Sequence, residues 1–138
     1  MKTTIERKSK FLDYYFVVLI LTFFMGAFLL PKDWVNYLPI YFMFASFVFF
    51  FLFFIVEFQM FAYLLKRVDL LLYKANTIQF GPYKGRRLNN LILFNCAHEI
   101  KATNHKELIQ RYKLVVKLMK FVGVSFVLFP ILSFLLFL

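Results

Sequence analysis

From Leu38 to Val56 the chain reads LPIYFMFASFVFFFLFFIV, nineteen residues without a charge, fourteen of them Leu, Ile, Phe or Val. The uncharged run reaches back to Trp34. About 20 apolar residues in a helix are enough to cross a hydrocarbon core roughly 30 Å thick. A soluble chain would have to bury this run, yet 138 residues supply one modest core and 62% of them are hydrophobic, 22 being Phe. Soluble domains hold roughly 45–50% apolar residues, and the excess here would surface as large sticky patches. Lipid removes the conflict.

Toward the N-terminus, Tyr14–Pro31 is a second stretch without charge, 18 residues with eleven Leu, Ile, Phe or Val. On an insertion scale these contribute about −3 to −7 kcal/mol. The run is longer than a signal-peptide apolar region, and Phe28-Leu29-Leu30-Pro31 offers no small-residue cleavage site, so it reads as an uncleaved span. The connector 32–37 is short, Pro31 and Pro39 punctuate it, and Trp34, Tyr37 and Tyr41 form an aromatic belt. Spans 14–31 and 38–65 therefore form a helical hairpin. The second helix would run about 40 Å, so its end must tilt or emerge.

Toward the C-terminus, Lys66-Arg67 stops the apolar pattern, and residues 66–120 hold twelve Lys or Arg against Asp69, Glu99 and Glu107. Gly81-Pro82 and Gly85 mark a turn between Thr77–Phe80 and Arg86–Phe94, where a short hairpin would fit. Asn104 with Glu107 three residues on predicts a helix N-terminus. The helix over 105–120 is amphipathic, with Leu108, Ile109, Tyr112, Val115, Val116 and Met119 on one face and Lys106, Lys113, Lys117 and Lys120 on another. It runs into 121–138, eighteen uncharged residues interrupted by Pro130, where a kink is expected.

The expected fold is thus an all-α integral membrane protein with three transmembrane helices. Its parts are a basic N-terminus (1–13), span 1 (14–31), an external connector (32–37), span 2 with its extension (38–65), a basic loop (66–120) and span 3 (121–138). Sixteen of 17 cations fall on one side, which predicts the N-terminus and the 66–120 loop in the cytoplasm. The expected location is the inner or plasma membrane, multi-pass, with an organellar membrane an alternative.

No catalytic residue, cofactor site or metal site is expected. Cys96 is the single cysteine, and His98, Glu99 and His105 match neither HExxH nor zinc-ribbon spacing. Glu57 is the one acid inside an apolar run, where carboxylates are costly and pair with something. The candidates are the helix-end Lys66 or Arg67, or, together with Gln59, a partner subunit's helix. Lys84, Arg86, Arg87, Lys113, Lys117 and Lys120 are candidates for anionic lipid headgroups or a protein partner, as juxtamembrane cations gain about 1 kcal/mol each near an anionic leaflet. Nucleic acid is not expected, because aromatic interleaving is sparse. The expected role is a small non-enzymatic subunit in a larger transport, secretion or export assembly, partnered by other membrane subunits. Rival readings are a stand-alone immunity or phage-exclusion protein and a homo-oligomeric channel component.

Overall fold

The computed structural model describes residues 3–79, 82 and 86–138. Three of its helical stretches, Thr4–Leu29, Lys32–Val68 and Lys106–Phe137, are long and apolar enough to cross a membrane. The chain divides into two compact units, one of residues 1–54 with 117–138 and the other of residues 55–116.

The first unit begins with α1 (Thr4–Leu29), which starts ten residues before the uncharged run. A capping box explains the early start. The Thr3 side chain accepts from the Glu6 amide at 3.3 Å, and the Thr3 amide donates to Glu6 Oε2 at 3.1 Å. The connector is itself partly helical, α2 (Lys32–Val35), before α3 (Leu38–Phe42) opens on Pro39. Residues Met43–Val48 then widen into a π-helical turn before α4 (Phe49–Val68) resumes the ordinary pitch.

That widened turn has a partner. The Tyr15 hydroxyl of α1 donates to the Ala45 carbonyl at 2.5 Å, and the Ser46 hydroxyl donates to the Phe42 carbonyl. A π turn disturbs the usual carbonyl-to-amide ladder, and side-chain hydroxyls here take up two of its carbonyls. Aromatic rings pack around the same place. Tyr15 stacks on Phe49 with centroids 4.3 Å apart, and Phe121 of α8 (Lys106–Phe137) lies 5.0 Å from Phe16 and 5.1 Å from Phe50. The core of this unit joins all three helical stretches through Leu19, Phe23, Leu38, Phe42 and Leu132. Gly26 admits Leu38, since a β-carbon there would stand 2.9 Å from Leu38 Cδ2.

The second unit contains the end of α4, then α5 (Leu70–Ala75), β1 (Thr77–Gln79), β2 (Arg86–Leu88), α6 (Ile92–Asn95), α7 (Ala97–Ala102) and the start of α8. The strands pair antiparallel, Thr77 with Leu88, Ile78 with Arg87 and Gln79 with Arg86. The small ribbon stands where the sequence offered a short hairpin, in an otherwise helical chain, and the expected loop also contains three short helices and the first turns of α8. The proposed turn residues Gly81 and Gly85 lie outside the described residues. Asp69 caps α5 by accepting from the Leu72 amide at 3.0 Å. The Asn76 carbonyl accepts from the Asn89 amide at 2.8 Å, which ties the end of α5 to the exit of β2.

α8 begins at Lys106 and continues as one helix through Pro130 to Phe137. Its cap is not Asn104, which takes a left-handed φ of 54°. His105 is the cap instead, its Nδ1 accepting from the Leu108 amide at 3.2 Å. Asn tolerates left-handed backbone better than most residues, so it serves as the bend and leaves the capping position to its neighbour.

Candidate functional site

Glu57 sits on α4 among Val56, Phe58 and Phe61, and its side chain is 1% exposed. Arg111 of α8 reaches it, Nη1 to Oε2 3.5 Å, while its Nε donates to Glu107 Oε1 at 3.2 Å. The guanidinium fork thus serves two carboxylates, one buried and one exposed, and also lies 3.8 Å from Met60 Sδ. A buried carboxylate without a cation would be strongly destabilising. Arg suits the place because its planar donors satisfy two acceptors at once.

Sequence reasoning passed over Arg111. Its signal was nonetheless present: Arg111 lies four residues after Glu107, beside Leu108, Tyr112 and Val115 on the apolar side of the amphipathic pattern. A cation on an apolar face asks for a buried anion. Lys66 and Arg67 point elsewhere, Lys66 Nζ lying 5.9 Å from the Tyr73 ring and Arg67 5.8 Å from the Tyr63 ring. Gln59 is exposed.

Around the pair the second unit is tightly finished. Phe61, Leu65, Ile100, Leu108 and Val115 are fully buried, and the Tyr112 hydroxyl donates to the Leu93 carbonyl at 2.7 Å. Cys96 is buried, its thiol donating to Asn76 Oδ1 at 3.5 Å. Burial pushes the Cys96 thiol up from its ordinary value and the Glu99 charge adds to this, while the Asn76 hydrogen bond acts in the opposite direction. His98 and Glu99 are exposed, and His105 is committed to capping, so no group of three His, Cys, Asp or Glu side chains converges among the described residues.

In the first unit, Lys117 is drawn onto α1. Its Nζ donates to Asp13 Oδ2 at 2.6 Å and to the Ser9 carbonyl and hydroxyl, each at 2.9 Å. Three acceptors fill the ammonium's three donors. Of the other cations marked as lipid or partner contacts, Arg86, Arg87, Lys113 and Lys120 are exposed, and Lys84 lies outside the described residues.

One cavity of about 400 Å3 opens where α1 meets the connector and α3, lined by Gly26, Leu38, Trp34, Tyr37 and Tyr41 among others. The hydroxyls of Thr22 and Tyr41 face each other there at 3.4 Å. Ser125, fully buried on α8, has no hydrogen-bond partner for its hydroxyl among the described residues. Comparison with family models, with curated proteins and with solved structures gives no match, so the residues themselves carry the functional reading.

Proposed function

We propose that this chain is a non-enzymatic scaffold subunit of a larger assembly in the inner or plasma membrane. Its N-terminus and the 66–120 region would lie in the cytoplasm, and other membrane proteins would pack against its spans. The observation that carries the reading is how little the spans bury on one another. In the most apolar 18-residue window of α8, 11% of the residues are buried, and the corresponding shares for the first and second stretches are 17% and 28%. Phe28, Phe126, Phe134 and Phe137 are each more than 65% exposed. Bulky, outward aromatic faces of this kind offer neighbouring helices knobs to pack against, which suits an assembly component.

Glu57 and Lys117 are engaged within the chain, which leaves packing against a partner to these apolar faces. Glu57 with Arg111, and Lys117 with Asp13 and Ser9, join helices within the chain. For the channel alternative, Arg111 already engages the carboxylate that would have to line an ion path.

The test is affinity purification of the tagged full chain from native membranes in a mild detergent, with its mass and companion chains identified. A stoichiometric foreign membrane protein is the expected result. A lone monomer would overturn the scaffold reading in favour of a stand-alone protective protein, and a lone homo-oligomer would favour the channel component.

A further inference from the structure

We propose that the segment between the second and third spans rests on an anionic lipid leaflet through exposed apolar and basic side chains of α5, β2 and α6. These side chains stand out element by element. On α5, Leu71 is 82% exposed, and Lys74 and Ala75, three and four residues on, are exposed with it. Leu91 at the start of α6 is 55% exposed and Phe94 65%, while Ile92 and Leu93 between them are buried. α6 therefore turns Ile92 and Leu93 to the protein and shows Phe94 to the outside, while α5 buries none of its residues and leaves Leu71 largely exposed. On β2, Leu88 is buried and Arg86 and Arg87 are exposed. The Asn89–Asn76 backbone bond and the Cys96–Asn76 hydrogen bond hold these elements in one local structure.

A lone exposed leucine needs no explanation, but a run of outward Leu71, Leu91 and Phe94 in a polar segment does. Two observations point to a lipid surface rather than to a protein. The first is chain connectivity: α5 begins two residues after Val68, the end of a helix long and apolar enough to span, so a bilayer surface is within reach of Leu70. The second is charge. Between 66 and 104 the described residues include six Lys or Arg and two acids, and one of those acids, Asp69, is engaged in capping α5. Apolar side chains dipping below basic ones is the arrangement by which interfacial helices hold an anionic leaflet. Each cation near such a surface contributes roughly fivefold in partitioning. The inference depends on the membrane-spanning reading but is independent of the scaffold role.

The experiment uses the full chain with Cys96→Ser, which removes the thiol but keeps a donor toward Asn76, reconstituted in nanodiscs of either pure phosphatidylcholine or a phosphatidylglycerol mixture, each containing a lipid-borne quencher. A fluorophore is placed at Leu71→Cys or Phe94→Cys, with Val18→Cys in α1 as the span control. Val18 is expected to be quenched in both discs, and Leu71 and Phe94 strongly only in the anionic ones. Adding Lys74→Gln, Arg86→Gln and Arg87→Gln should lower the docked population by roughly fivefold per charge removed. Equal signals at positions 71 and 94 in the two lipids, whether both quenched or both bright, would overturn the proposal while leaving the spans intact. An unquenched Val18 would overturn the spans and the proposal together.

Discussion

Arg111 is the residue whose loss should be felt most. It supplies positive charge to Glu57, which the fold keeps 1% exposed. Replacing it with Leu takes the guanidinium contact away from a buried carboxylate, and removing one member of a buried pair costs about 3–5 kcal/mol. We expect Arg111→Leu to lose about 3 kcal/mol in detergent-titrated unfolding, and Glu57→Gln in the same chain to restore much of it, because an amide needs no counter-charge. If the double variant is as unstable as the sum of the singles, the pair is not coupled. Lys117 is a milder case. Its partner Asp13 is 55% exposed, and ion pairs open to water contribute about 0–1 kcal/mol. What distinguishes Lys117 is geometric, since three acceptors fix one helix against another.

Among elements, α8 shows what sequence can and cannot deliver. Its amphipathic stripe and its passage into an apolar run follow from spacing alone, because its charged and apolar side chains, Arg111 excepted, separate at a 3.6-residue period. Its first residue did not follow. Asn is favoured over His at a cap, and only the backbone turn at Asn104 shows that the capping place falls one residue later. His105→Ala should therefore release the Leu108 amide and raise hydrogen exchange over residues 106–109 by about fivefold, equivalent to about 1 kcal/mol. His105→Asn should restore protection, whereas unchanged exchange in the alanine variant would remove the cap. The π turn at Met43–Val48 was illegible for the opposite reason. When Phe, Leu, Ile and Val lie on every side of a helix, there is no apolar stripe whose period could shift and betray an extra residue. Tyr15, from another helix, is the clue, and it acts only through tertiary contact.

At the scale of the whole molecule, the apolar runs announce three spans because length and the absence of charge set insertion without reference to packing. The site was less legible, since Glu57 could be singled out from its cost but its partner lies 54 positions away. Orientation is a separate question from span number, and it depends on where the cations fall. Four precede the first run, twelve lie in 66–120, and Lys32 stands alone in the connector. Moving Lys and Arg across a membrane is disfavoured strongly enough that this distribution should hold the N-terminus and the 66–120 region on the cytoplasmic side. A reporter fused after Leu138 should then read non-cytoplasmic, and one inserted after Lys101 cytoplasmic. The C-terminal fusion is the sharper probe, because it reports directly on whether the third helix crosses. A cytoplasmic signal there would make the third helix re-entrant and leave two spans. Adding two Lys to the connector beside Lys32, with Arg7, Lys8 and Lys10 neutralised, should invert part of the population. Failure to invert, with the first result intact, would mean that the twelve cations of the central segment dominate topology without the N-terminus.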